Sequence, residues 1–349
     1  MDASTEIAPA LLDWYDAHAR ALPWRAPPGA ARPDPYRVWL SEVMLQQTTV
    51  AAVIPYFEAF TRRWPDVAAL AGADDAEVMA AWAGLGYYAR ARNLLACARA
   101  LAEGAGAFPS TEAGLRALPG LGAYTAAAVA AIAFGERAVV VDANVERVAA
   151  RLFAIATPLP AARAQIRAAV DRITPADRPG DFAQAMMDLG ATVCTARAPR
   201  CLLCPLRADC KAHGEGRETA YPVKPARKAK PERAGTALWI EREGAVLLVT
   251  RPGKGMLGGM RALPDDGWSA KGDGAGGPAE ARLLGVVPHV FTHFTLWLRV
   301  MDCSGLHWPD SQMPQGEWWP LERIDEAGLP TLFARAARLA IAGGEEKDA

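Results

Sequence analysis

Apolar residues recur at helical spacing through the first two-thirds of this chain, then give way to short β-branched and aromatic runs in the last third. Up to Cys210, Ala, Leu, Arg and Glu dominate, with Gly and Pro at loop-like intervals, and this predicts a mainly helical region. Helices are expected over residues 41–59, 75–84 and 180–194, the last preceded by a turn marked by Pro175, Pro179 and Gly180. Residues 111–117 predict a short helix, Leu118-Pro119-Gly120-Leu121-Gly122 a turn, and an Ala-rich helix starts near Ala123. The most apolar run, residues 123–134 between Gly122 and Gly135, is shorter than the about 20 residues a membrane span needs.

Beyond the helical region, residues 214–233 hold three prolines, many basic residues and little apolar content, which is linker composition. The texture then changes. Residues 236–250 predict two strands around a Glu243-Gly244 turn, and residues 286–303 are strand-like with partial alternation. Residues 329–342 predict an amphipathic helix, and the Gly-rich residues 265–279 a mobile segment. Together these predict a separate α+β domain, with boundaries at 1–215, 216–233 (linker) and 234–349.

A length of 349 residues suits about two domains, and 51% hydrophobic content is ample for their cores. The net charge of −1 excludes a globally basic nucleic-acid binder but not a local basic face. The first twenty residues carry acids and no long apolar run, so a soluble cytoplasmic protein without a membrane partner is expected.

The densest chemistry is a cysteine quartet, Cys194-x6-Cys201-x2-Cys204-x5-Cys210. Four thiolates in so short a loop suit a metal centre that would fix the loop's shape. A disulfide pair does not fit a reducing compartment. Zinc usually takes two short CxxC-like pairs, and only Cys201 and Cys204 are so spaced, which leaves zinc behind an iron–sulfur cluster. Two carboxylates also stand out. Glu42 sits alone in the apolar-to-neutral run VWLSEVMLQQTTV, and Asp142 follows three valines where an acid can cap a helix. In LPGLG, Gly120 and Gly122 permit positive φ and close backbone approach, and free N–H groups at the next helix start favour an anion.

These motifs, in order, resemble the MutY family of adenine DNA glycosylases in the helix-hairpin-helix, endonuclease III superfamily. The matching blocks are LPWR at 22–25, PYRVWLSEVMLQQT at 35–48, GLGYYARARNL at 84–94, LPGLGAYTA at 118–126, VDANVERV at 141–148, MMDLGATVC at 186–194 and the cysteine loop. The resemblance implies a helix-hairpin-helix glycosylase region with a [4Fe-4S] cluster on the quartet, followed by a Nudix (MutT)-like α+β lesion-recognition domain. It implies monofunctional removal of adenine opposite 8-oxoguanine or guanine in double-stranded DNA, by a monomer associated with the nucleoid.

Breaking a base–sugar bond calls for a sheltered acid and an ionised carboxylate that stabilises the sugar cation. By the resemblance Glu42 is the acid, protonating adenine N7, and Asp142 the stabiliser, with Asn144 and Tyr124 supporting the same centre. Trp24, Arg25 and Asp188 map to the adenine pocket, Gly120 and Gly122 to the phosphate-gripping hairpin, and Gln47 and Tyr87 to wedges that enter the base stack. Bifunctional relatives carry a lysine where this chain has Tyr124, and there is no lysine before Lys211, so no imine forms and the reaction stops at an abasic site. In the C-terminal domain the only glutamate between Gly253 and Gly285 is Glu280, too few for a Nudix metal helix. Phe291-Thr292-His293 stands where the family usually has Phe-Ser-His as its lesion-reading loop. The stretch 258–264 departs from the family block at Arg261. Lys224, Arg227, Lys228 and Lys230 are expected along DNA phosphate, as are Arg197, Arg200 and Arg207 of the cysteine loop.

Overall fold

The computed structural model describes residues 4–104, 106–224, 229–252, 256–309 and 313–345. The chain forms two compact units: Met1–Ala73 with Asn93–Arg227, and Asp74–Arg92 with Lys228–Ala349. The first unit is helical. Its site-bearing helices are Pro35–Met44, Val50–Arg63, Glu112–Arg116, Ala123–Val129, Ala143–Leu152 and Pro179–Thr192.

The helix expected over residues 41–59 is two helices. The first ends at Met44, Gln47 takes a left-handed φ of 59°, and the Thr49 hydroxyl accepts from the Ala52 backbone N–H to start the second. A side-chain cap of this kind satisfies a donor that a new helix start leaves free, so the sequence T-T before an apolar run favours a fresh start over continuation. The apolar run after Gly122 is helical, and its second half, Ala130–Phe134, widens into a π-helix closed by left-handed Gly135. Small side chains let this segment be buried almost throughout, and it forms the centre of the unit's core. The helix Pro179–Thr192 is buried along most of its length. A Cβ at its Gly190 would lie 2.6 Å from Asn144 Cβ, so glycine lets this helix press onto the start of Ala143–Leu152.

Among its described residues the second unit holds seven strands: β1 (Glu232–Trp239), β2 (Glu241–Arg242), β3 (Ala245–Thr250), β4 (Arg261–Ala262), β5 (Arg282–Val290), β6 (Thr295–Asp302) and β7 (Glu317–Pro320). One sheet has the order β1-β6-β5, with β1 parallel and β5 antiparallel to β6. The other joins β2, β3 and β4, with β7 also on β3. The expected turn holds Glu243 and Gly244, both at positive φ, but its first strand is only β2. The longer β1 stops at Trp239 and enters the other sheet, with fully buried Ile240 at the switch. Strand β6 alternates cleanly, Leu296, Leu298 and Val300 inward and Trp297 and Arg299 outward, and the helix Thr331–Glu345 covers the inner face with Phe333 and Ala336.

The Gly-rich residues 265–279 are tied down rather than loose. Asp266 N–H donates to Thr236 O, Gly274 N–H to Ala234 O, and Trp268 is buried against Phe291 and Phe333. Composition suggested mobility because glycine offers no side-chain contacts; here backbone hydrogen bonds to β1 supply the anchoring. Lys224 and Lys230 are exposed, whereas Arg227 and Lys228 lie outside the described residues.

Candidate active site and thiol pocket

Glu42 lies on the helix Pro35–Met44, which Asp34 caps by accepting from the Tyr36 N–H. The helix is buried on nearly all sides, and Glu42 is 5% exposed. Burial drives its carboxyl up to about 7 from 4.5; the Tyr124 hydrogen bond lowers it, Asp142's charge raises it and Arg25 lowers it. The Tyr124 hydroxyl donates to Glu42 Oε2 at 2.6 Å. Tyr124 comes from the first turn of Ala123–Val129, and its phenol is itself held well above its ordinary value by burial first and then by the two acids. The hairpin turn therefore delivers Tyr124 to Glu42. At its centre Gly120 has φ +75°, and a Cβ there would lie 2.6 Å from Asn93 Cβ. Gly122 is the N-cap of the helix, in extended backbone and with open space beside it.

Asp142 caps the helix Ala143–Leu152. Its Oδ1 accepts from the Val145 N–H at 2.7 Å and its Oδ2 from Asn144 Nδ2 at 2.9 Å. Asn144 Oδ1 in turn accepts from Arg147 Nη2 at 2.9 Å, and Arg147 Nε donates to Cys194 O at 2.8 Å. A continuous hydrogen-bond chain thus runs from Asp142 to the first residue of the cysteine loop.

Asp188 is fully buried on Pro179–Thr192 and forms ion pairs with two arginines, Arg20 Nε at 2.6 Å and Arg25 Nη1 at 2.7 Å. The backbone N–H of Arg20 adds a third bond at 3.0 Å. Trp24 is buried and packs edge-on against Phe57. Gln47 and Tyr87, assigned to base-stack insertion, are both exposed and both hold left-handed backbone, φ 59° and 50°. Such conformations cost of order 1–3 kcal/mol and cluster at working sites.

In the second unit Phe291-Thr292-His293 forms the tip between β5 and β6, closed by the Phe291 N–H donating to Phe294 O. Phe291 turns inward and stacks on Phe294 at 4.8 Å, leaving Thr292 and His293 exposed. The hydroxyls of Thr292 and Tyr87 are 3.2 Å apart, and Lys230 Nζ donates to Phe291 O. Arg261 pairs with Glu317 and lies over the Trp319 ring at 4.6 Å, while Glu280 is exposed ahead of β5.

Cys194, Cys201, Cys204 and Cys210 are all free thiols and line one pocket, with Arg151, Arg207, His213 and Glu218. Arg151 is 2% exposed. Its guanidinium donates to Cys194 Sγ at 3.3 Å and to the carbonyls of Cys194, Thr195, Ala196 and Tyr221. Four sulfurs around one space, backed by a buried cation, suit a thiolate-ligated metal centre, because the thiolates' negative charge is met inside the fold. Arg197 and Arg200 are exposed on the same loop. Sequence reasoning passed over Arg20, Arg147, Arg151, His213 and Glu218. Asn144, Arg147 and Arg151 lie three and four residues apart on one helix face, a spacing that signals a shared polar seam. Arg20, His213 and Glu218 carry no such pattern.

Two family profiles match: the HhH-GPD superfamily of base excision DNA repair proteins over residues 40–172, and the NUDIX domain over residues 235–339. The adenine DNA glycosylase of Homo sapiens is 33% identical over 407 residues, covering 96% of this chain and 74% of its own. That of Arabidopsis thaliana is 39% identical over 298 residues; the match covers 74% of this chain and 47%, about half, of the plant protein. Among solved structures, a thermostable thymine-DNA glycosylase aligns at a TM-score of 0.54 and 26% identity, covering 61% of this chain and 97% of that one. No described helix is long and apolar enough to cross a membrane.

Proposed function

The chain belongs to the adenine DNA glycosylase family, and from that premise we propose that it removes adenine mispaired with 8-oxoguanine or guanine by hydrolysing the base–sugar bond. The observation that carries this reading is Glu42: a buried carboxyl near neutrality, at about 7, that accepts a hydrogen bond from Tyr124. A group of that kind is protonated often enough at neutral pH to deliver a proton to adenine N7, and the resulting carboxylate can then take a proton from the attacking water. Asp142, bonded to the Val145 and Asn144 N–H groups, supplies the negative charge that stabilises the sugar cation. Arg25, with its position fixed by buried Asp188, adds positive charge to the same field.

Tyr124 bonds to the acid but offers no amine to the sugar, so the product is an abasic site and the strand stays joined. Gln47 and Tyr87 fill the space that the extruded base leaves, which offsets part of the few kcal/mol of unstacking. Thr292 and His293 read the opposite base, with the Thr292 hydroxyl able to donate and accept. Double-stranded DNA is the partner, met by a monomer, with Lys224 and Lys230 contributing phosphate contacts. Cys194, Cys201, Cys204 and Cys210 hold a [4Fe-4S] cluster, which when bound braces the loop that carries Arg197, Arg200 and Arg207. The four thiols lining one pocket beside buried Arg151, together with the adenine DNA glycosylase family, support this cluster over zinc.

The test uses duplexes with A opposite 8-oxoguanine, A opposite G and G opposite T, with products compared before and after alkali. Strand breaks at adenine that need alkali are expected. Breaks without alkali would overturn the Tyr124 argument; action at G:T alone would favour a thymine glycosylase on the same fold.

A further inference from the structure

We propose that Glu218 is a reserve ligand for the corner of the metal centre held by Cys201, with His213 as its positioning residue. The inference rests on reading the quartet as the ligand set of a [4Fe-4S] cluster. Cys201 Sγ, a ring nitrogen of His213 and a carboxylate oxygen of Glu218 all lie within 4.8 Å of one another. Among the described residues this is the one group of three such donors able to hold a metal ion. Glu218 Oε1 is 3.6 Å from Cys201 Sγ. Two ligands on one tetrahedral metal, at about 2.0–2.3 Å from it, stand about 3.6 Å apart. The carboxylate therefore already stands one ligand spacing from the sulfur whose place it would take.

The local chain explains the placement. The short helix Lys211–Gly214 follows Cys210 directly, Gly216 turns the backbone with φ +63°, and the Arg217 N–H donates back to Ala212 O. That return brings Glu218 to the pocket beside His213, whose Nδ1 lies 2.6 Å from Glu218 Oε1. Carboxylates that ligate a metal are commonly held in place by a hydrogen bond of this kind. The other cysteines are furnished differently. Cys194 Sγ faces the Arg151 guanidinium, and Cys210 Sγ faces the Arg151 carbonyl at 3.7 Å.

Exchange at the Cys201 corner replaces one anionic ligand by another, a thiolate by a carboxylate, so the charge of the centre is unchanged and no electron moves. Hard oxygen donors are acceptable to iron, though softer thiolates hold it better, so Cys201 is the ligand in the intact protein and Glu218 serves when the thiolate is lost.

The experiment measures iron and acid-labile sulfide per chain in the full-length protein. Wild type is expected to carry four irons, Cys201→Ala to keep them, and Cys204→Ala to lose the cluster. In the Cys201→Ala background, adding Glu218→Gln or His213→Ala should release iron, with a three-iron signal in low-temperature EPR after one-electron oxidation with added ferricyanide, while His213→Asn, whose amide still donates to Glu218, should restore it. Equal iron loss in Cys201→Ala and Cys204→Ala overturns the proposal, as does retention in Cys201→Ala/Glu218→Gln. Because losing a cysteine can unfold the loop, a second readout keeps the quartet intact: Glu218→Gln should lose iron to a chelator severalfold faster than wild type, and an equal rate counts against the reserve role. Wild-type protein carrying zinc and no iron would instead sink the cluster reading on which the inference stands.

Discussion

The Tyr124 hydroxyl donates to Glu42 Oε2 at 2.6 Å, and this bond is the main influence opposing burial in setting the acid's strength. A hydrogen bond to a charged group is worth about 1.5–3 kcal/mol, or roughly one to two pH units. Tyr124→Phe should therefore raise Glu42 further and move the alkaline limb of the single-turnover rate to higher pH by about one unit. In wild type the rate should fall tenfold per pH unit above about 7, as the acid form of Glu42 is depleted. An alkaline limb in the same place for both proteins would remove Tyr124 from control of the acid.

Glu42 also makes stability depend on pH in a defined direction. Its carboxyl titrates near 4.5 when unfolded and near 7 when folded. Below 4.5 both states are protonated. Between 4.5 and 7 the unfolded chain has released a proton that the folded protein keeps, so rising pH favours unfolding, and above 7 the full cost of the buried carboxylate is present. Glu42→Gln removes the titration. The stability difference between variant and wild type should shift in the variant's favour from pH 5 to pH 8, by on the order of 3 kcal/mol before any relaxation of the site. Urea unfolding at the two pH values reads this directly. The same variant should bind A:8-oxoguanine duplex normally and release adenine at least about a hundredfold more slowly; near-normal release would disqualify Glu42 as the acid.

Asp142 caps a helix through Oδ1 and bonds Asn144 through Oδ2, and two substitutions separate the cap from the proposed role of its charge. Asp142→Asn keeps an oxygen for the Val145 N–H, since asparagine caps helices as well as aspartate does. Its stability should stay near wild type while excision collapses, because no charge faces the sugar cation. Asp142→Ala should in addition lose about 1 kcal/mol of stability with the cap. Arg147→Ala should slow excision with smaller effect on DNA binding, since it removes the Arg147 bond to Asn144 Oδ1 and the shorter of two bonds to the Cys194 carbonyl. Retained excision in Asp142→Asn, measured on pre-bound duplex, contradicts the electrostatic role.

Much of this was legible because the informative residues break a local pattern. A lone acid in an apolar helix, an acid after three valines and four close cysteines are each poorly explained by packing alone. The Gly120 turn was legible because its φ requires the residue type. What escaped were the partners that reach a site from far along the chain. Arg20 meets Asp188 across 168 residues and Arg151 meets Tyr221 across 70, and no periodicity records such pairings. The break at Gln47 was hidden because Leu45, Gln46 and Gln47 are good helix formers and the apolar run resumes at Val50, which masks the turn that the Thr49 cap imposes. The split of residues 236–250 between two sheets was hidden for the same reason: strand propensity shows a strand, not its neighbours.

Thr292 and His293 are the exposed pair at the β5–β6 tip, and the Thr292 hydroxyl lies 3.2 Å from that of Tyr87. A threonine at this place keeps a hydroxyl, and its branched side chain has few χ1 choices, so the hydroxyl is held toward Tyr87 before any DNA binds. Combined Thr292→Ala and His293→Ala should leave excision from A:G nearly unchanged and slow it from A:8-oxoguanine, narrowing the preference by about tenfold, the equivalent of one or two hydrogen bonds. Thr292→Ser should retain most of that preference and Thr292→Val should lose it, because serine keeps the hydroxyl and valine keeps only methyl groups. Competition between the two duplexes in one tube gives the ratio without reference to protein concentration. If the ratio stays at the wild-type value in the double alanine variant, the tip is a plain strand connection and the lesion is read elsewhere.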